Sequence, residues 1–345
     1  MNEIETIPAN ADSVEAGEIP RTLPPEDTVE KAVREPGWAE ARQLALKQLD
    51  KLVGQEPKML RGNRPEAVHA MRVSSRRLQE ELDLIYSKPR PPEIRRLRRK
   101  VRRCRSVLSG LRNCDVLLAR TESRLANSRS TRRQAWGTVA AFLHKRREAL
   151  FSKAAHRLTR INLPEIYLEL RDHLAGPNTA LGSSRNGDEP LPPPEQNHPA
   201  ESLRKRLADE LNRRWEEFER QAGKANEDPG HTGLHPSRIA AKKLRYLIEV
   251  AAEFEVEGSQ QALEWFKKLQ TVLGDWHDLE MSEIVLTQIV GNAKFIRENL
   301  AQAPWILRLI EQERKSKERL KNKGMETLRH VSSHGPIRAW INSLQ

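Results

Sequence analysis

The segment AVHAMRVSSRRLQEELDLI, Ala67 to Ile85, returns in outline as LHPSRIAAKKLRYLIEV, Leu234 to Val250. Alignment sets His69 on His235, Arg72 on Arg238, Arg76 on Lys242, Arg77 on Lys243 and Leu78 on Leu244, each pair 166 residues apart. Downstream, VLSGLRNCDV (Val107 to Val116) matches VLGDWHDLEM (Val272 to Met281) at nearly the same offset. Two matched segments in one order mark an internal duplication. That is the tightest constraint on the fold, because whatever unit the first copy forms, the second must form too.

The unit is helical. Leu97, Val101, Cys104, Leu108 and Leu111 recur at steps of three and four, as do Leu203, Leu207 and Leu211, and strand-forming residues are scarce. The stretch AGPNTALGSSRNGDEPLPPPEQNHP concentrates Gly, Pro, Ser and Asn, and its proline triplet cannot continue a helix. The chain therefore divides into an acidic disordered tail (1–35), a first helical half (36–175), a Pro/Gly-rich linker (176–198) and a second helical half (199–345). Pro65 and Pro236 sit at or near the starts of the motif segments, so both motifs are expected to open helices. The fold class expected is all-α: two tandem helical-bundle repeats related by pseudo-two-fold symmetry, facing each other across a basic groove.

On a helix, His69, Arg72 and Arg76 fall within roughly 60° of one another, opposite Met71, Ser75, Leu78, Leu82 and Ile85. In the second copy Arg238, Lys242 and Arg245 share a stripe opposite Ala241, Leu244, Ile248 and Ala251, with His235 at the helix start. A third row, Arg98, Arg102, Arg105 and Arg112, flanks the Leu97 to Leu111 seam and would open onto a groove between helices. Arg96, Arg99, Lys100 and Arg103 are read as solvated. The second copy retains Lys267 and His277 in the corresponding row, with Gln270 between them.

Charge narrows the partner. The chain carries +12, but residues 1–35 hold nine acids against three bases, which leaves about +18 on the remainder. So basic a body calls for an anionic partner. Rows of Arg and Lys at helical spacing suit a ligand with many oxyanions, and two rows from two halves suit an extended one. No apolar run of about 18 residues occurs, so no membrane span is expected. MNEIETIPANADSVE lacks the basic start and apolar stretch of a signal peptide, and a cytoplasmic protein is the expectation. Cys104 and Cys114, ten residues apart within one expected helix, would lie roughly 15 Å apart, too far for a disulfide.

The doubled His–Arg–Arg/Lys helix, followed by VLSGLRNCDV and LQTVLGDWHDL, closely resembles the CHAD family, the conserved histidine α-helical domain, from about residue 36 onward. The resemblance implies two four-helix units with a basic central groove that binds inorganic polyphosphate, often at polyphosphate granules. The family's basic positions carry over to His69, Arg72, Arg76 and Arg77, and to His235, Arg238, Lys242 and Lys243. Where the family tends toward Leu-Gly then Arg-Asp, the first half has Ser109 and Asn113, while the second keeps Leu273, Gly274 and Asp278.

Polyphosphate binding is therefore assigned to His69, Arg72, Arg76, Arg77, Arg98, Arg102, Arg105, Arg112, His235, Arg238, Lys242, Lys243, Arg245 and Lys267. No catalytic residue, metal or cofactor is assigned. The rival enzyme reading lacks the Glu-x-Glu-x-Lys signature of the triphosphate-tunnel domains often fused to this family: EIETI and EVEGS have two glutamates and no lysine. A metal-chelating accessory role would draw on His69, His235, Asp115 and Asp278, among guanidinium groups that repel a cation. Nucleic acid meets the electrostatic requirement, yet the basic stripes lack stacking aromatics apart from Tyr246, so contact with a phosphate backbone is the runner-up.

Overall fold

The computed structural model describes residues 37–175, 202–227, 231–332 and 335–344, and among these the chain is helical without strands. The expected tail and linker lie outside the described residues. The first half contains α1 (Trp38–Gly54), α2 (Glu56–Gly62), α3 (Pro65–Ile85), α4 (Pro92–Val107), α5 (Ser109–Ala126), α6 (Ser130–Thr159) and α7 (Leu163–Ala175). The second contains α8 (Leu203–Glu227), α9 (His231–Glu253), α10 (Ser259–Val290), α11 (Ala293–Glu298), α12 (Ala303–Ser332) and α13 (Gly335–Ser343).

The duplication is visible in which helices touch. α1 packs on α3 as α8 packs on α9, α5 on α6 as α10 on α12, and α1 on α7 as α8 on α13. The two copies do not keep separate cores. Leu49, Val68, Leu78 and Leu97 of the first belong to one buried apolar cluster with Leu211, Trp215, Leu244 and Phe266 of the second. A smaller cluster joins Trp136 and Leu143 of α6 to Leu286 of α10 and Leu309 of α12. Each such side chain contributes roughly 1.5–3 kcal/mol when fully buried, so the apolar effect holds the halves together as well as each half.

The motif helices behave as their periodicity requires. Met71, Ser75, Leu78 and Leu82 of α3 are fully buried, and so are Ala241, Leu244, Ile248 and Ala251 of α9. Pro65 occupies the first turn of α3, where its missing N–H costs nothing. Pro236 departs from expectation: α9 begins at His231, a turn earlier, so this proline lies inside the helix.

A second departure concerns Cys104 and Cys114. They belong to two helices, because the ladder is interrupted at Leu108, and both are buried free thiols. The cause is competition for one carbonyl. Arg105 O, which would accept from the Ser109 N–H, instead accepts from the Ser109 hydroxyl at 2.9 Å and from the Arg72 guanidinium at 2.7 Å. The second copy has Gly274 in place of Ser109, and α10 runs through unbroken. Nor are Arg96 and Lys100 simply solvated. Arg96 pairs with Glu169, and Lys100 with Glu165 and Glu169, so both fasten α4 to α7.

Candidate anion-binding cleft

α3, α4 and α5 of the first copy and α8, α9 and α10 of the second wall a cleft of about 1080 Å³. Eleven arginines and three lysines line it against four carboxylates, an excess of ten positive charges. The whole chain carries +12. Residues 36–345 carry about +18, so more than half of that charge is gathered on one concave surface built by both copies.

The cations fall into two sets. In the first, charges are matched. Asp83 accepts both arms of Arg98 and also pairs with Arg90 at 3.0 Å. Arg214 reaches Glu80 at 2.8 Å and Glu210 at 3.1 Å, and Glu210 also holds Arg213. The second set comprises Arg72, Arg76, Arg102, Arg105 and Arg112 from the first copy and Arg238, Lys242 and Lys243 from the second. Among the described residues none of these eight has a carboxylate within ion-pair distance, and the same holds for Lys88 and Arg206, which complete the fourteen.

Crowding and burial act on the unmatched set. Arg238 is only 7% exposed and its Nε has no hydrogen-bond partner among the described residues. Burial, then Arg238 and Arg76, push the Lys242 ammonium down to about 8. Burial, then Arg76, Arg105 and Arg112, push Arg72 down to about 10. His69 is held below its usual range by burial and by Arg112, Arg72 and Arg76. These shifts have one origin, a cavity that penalises cations and offers them few counter-charges, and an anion entering it would reverse them.

Tyr246 links the two copies at the cleft floor. Its hydroxyl accepts from Arg76, and its ring lies 4.8 Å from the Arg76 guanidinium and 5.0 Å from that of Arg245. Beside it, Glu249 pairs with Arg77 at 2.9 Å and with Arg245, which closes the seam between α3 and α9.

Ten of the residues assigned from sequence line the cleft: His69, Arg72, Arg76, Arg98, Arg102, Arg105, Arg112, Arg238, Lys242 and Lys243. Four do not. Arg77 and Arg245 are committed to Glu249, because α3 and α9 pack together there and their neighbouring cations need a counter-charge. Lys267 is exposed and pairs with Glu264 on its own helix. His235 stands next to His277, with ring centroids 5.4 Å apart, and is not part of the lining. Sequence reasoning missed Lys88, Arg90, Arg206, Arg213 and Arg214. The last three had a signal, since they flank the Leu203, Leu207, Leu211 row just as the arginines of α4 flank theirs.

The residues considered for a metal do not meet as a group. Asp115 is buried against Arg147, with Oδ1 2.6 Å from Nε, and the same guanidinium donates to Asn63 Oδ1 and O. A different trio does converge: His235, His277 and Glu280 place one ligand atom each within 4.8 Å of one another. Burial and Arg238 lower both histidines, His277 to about 4.

A family model, the CHAD domain, matches residues 43–287. The chain is also similar in fold to the crystal structure of the CHAD domain from the plant Ricinus communis. That likeness has a TM-score of 0.58 at 20% identity and covers 85% of this chain and 92% of the other. No curated protein matches.

Proposed function

The chain belongs to the CHAD family, and from that premise and the charge of its cleft we propose that it binds inorganic polyphosphate without catalysing its turnover. The observation that carries the reading is the unmatched set. Eight cations from both copies line one cleft with no carboxylate in ion-pair range, including a buried guanidinium nitrogen with no partner. A linear polymer with a charge on every unit can engage many of them at once, while a single small anion would leave most unanswered.

Non-catalytic binding is supported by how three of the four lining carboxylates are used: Glu80, Asp83 and Glu210 are tied to arginines, and Asp278 alone stands in the field of Arg112, Arg238 and Lys242. Nucleic acid is the weaker reading. Tyr246, the aromatic ring of the cleft lining, is held between Arg76 and Arg245 and is 4% exposed, so it offers no face for a base. No helix among the described residues is long and apolar enough to cross a membrane. Residence in the cytoplasm at polyphosphate granules is the setting that fits this ligand.

The test is competition. Labelled long-chain polyphosphate, bound at physiological salt, should resist displacement by DNA, ATP and heparin at equal phosphate or sulfate concentration and yield to unlabelled polyphosphate. Displacement by DNA with equal efficiency would overturn the assignment.

A further inference from the structure

Asn113 and Asp278 hold equivalent places in the duplication, 165 residues apart, and both line the cleft where α5 meets α10. The first copy thus has an amide where the second has a carboxylate of the same shape. The other three carboxylates of the lining are tied to arginines, whereas Asp278 has neither an ion pair nor a hydrogen bond among the described residues.

Cations of both copies surround it. Arg112 and Arg120 of α5 and Arg238 and Lys242 of α9 attract the Asp278 charge, and Asp275 opposes it from the preceding turn of α10. Arg120 already pairs with Glu313 of α12 at 3.4 Å. Arg112, Arg238 and Lys242, three of the unmatched set, are left to share one carboxylate that pairs with none of them. Even so, burial outweighs the pull of these cations and raises the Asp278 carboxyl above its ordinary range. A carboxyl raised on folding takes stability away when it is ionised, so the stability of the free protein does not account for this charge.

Its effect on a ligand does. An anion entering the cleft draws on the same cations as Asp278 and is repelled by it across a partly dry space. A fixed penalty of this kind weighs most on a small anion, which has few contacts to set against it. A polymer engages cations along both walls, beyond the reach of one carboxylate, and binds in spite of it.

We propose that Asp278 is a resident counter-anion that sets the least charge a ligand must bring to occupy the cleft. The inference rests on the polyphosphate reading for the ligand's identity, while its sign holds for any polyanion. With Asn113 at the matching place, the threshold is set by the second copy alone.

Tripolyphosphate and long-chain polyphosphate are titrated into the full chain at mildly alkaline pH, with EDTA present so that no metal bridges carboxylate and phosphate. Asp278→Asn, which gives the second copy the amide of the first, should tighten both by roughly tenfold, the equivalent of the one pKa unit at the low end of a neighbouring charge's effect. Asn113 is exposed, and Asn113→Asp, which adds a carboxylate to the same floor, should weaken both by a similar factor. A structural role for Asp278 would lower affinity in its variant, so the gain is what separates the two. Unchanged or weaker binding of tripolyphosphate by Asp278→Asn overturns the proposal, as does tighter binding by Asn113→Asp. If the wild type binds DNA in preference to polyphosphate, the polyphosphate reading falls, and the same two variants titrated with that DNA decide on Asp278 separately.

Discussion

Lys242 offers a quantitative test of the cleft as an anion site. Its ammonium is pushed down to about 8, against an ordinary 10.5, because burial and the charges of Arg238 and Arg76 oppose its proton. By simple titration about nine in ten of these side chains are charged at pH 7 and about one in ten at pH 9. A polyanion in contact with Lys242 removes the opposition. If the bound value returns to the ordinary one, linkage makes affinity fall about tenfold between pH 7 and pH 9, with about one proton taken up per complex at pH 9. The sign for the free protein is opposite. A lysine whose folded pKa is depressed makes the unfolded chain bind more protons between 8 and 10.5, so its contribution to stability improves as pH rises through that window. Calorimetry in two buffers of different ionisation heat measures the proton uptake, and anisotropy of labelled polyphosphate measures the affinity. Lys242→Arg should flatten both between pH 7 and 9, since a guanidinium stays charged there. A wild-type affinity that is level across this range, or a fall of equal size in Lys242→Arg, would refute the reasoning.

Binding should weaken log-linearly with salt, and Lys243→Gln should make the measured slope shallower by roughly 0.7–0.9, one contact's share by analogy with counterion release from nucleic acid. Arg102→Glu in the first copy and Lys243→Glu in the second, both exposed, should each weaken long-chain binding while shifting stability by no more than about 0.5 kcal/mol; full affinity in either, read by anisotropy, would mean that the copies do not share a ligand. Arg72→Ala should lower stability by about 1–3 kcal/mol in urea unfolding, because Arg72 donates to Arg105 O and Ser109 Oγ at the break between α4 and α5. Unfolding of the free chain should shift to higher temperature with moderate salt, which screens repulsion among the unmatched cations.

What the sequence made legible was local or repeated. The buried face of α3 follows from helical period alone, and the cleft face follows from the same period plus the second copy. Arg72 shows the limit. On the helical wheel it is a surface cation suited to charge reversal without cost, but the structure gives it a structural carbonyl to hold as well. Arg245 shows another. Spacing puts it on one stripe with Arg238 and Lys242, yet α3 crosses α9 at that level and brings Arg77 beside it, so Glu249 claims both. Which member of a stripe faces a partner helix is a tertiary property that no period encodes. The trio of His235, His277 and Glu280 was hidden for a similar reason: 42 residues separate its first two members, and only the packing of α9 on α10 makes them neighbours.

The division of cations between seam and cleft answers why the motif occurs twice. One copy alone would present a row of arginines on an amphipathic helix, with water as their main counter-environment and no concave surface to concentrate the field. Packing the second copy against it creates that surface, but it also brings like charges close together in a partly dry space. The molecule meets this cost unevenly. Where α3 and α9 touch, it supplies Glu249 and the Tyr246 hydroxyl; around Arg98 and Arg214 it supplies Asp83, Glu80 and Glu210. For the remaining ten it supplies hydrogen bonds to Arg72 and Arg76 and no carboxylate in range. Were all fourteen cations in the cleft matched, the surface would be stable and inert toward anions, and were none matched, the two copies would be pushed apart. The neutralised positions hold the walls in place, and the unmatched ones are left for a ligand that brings its own negative charge.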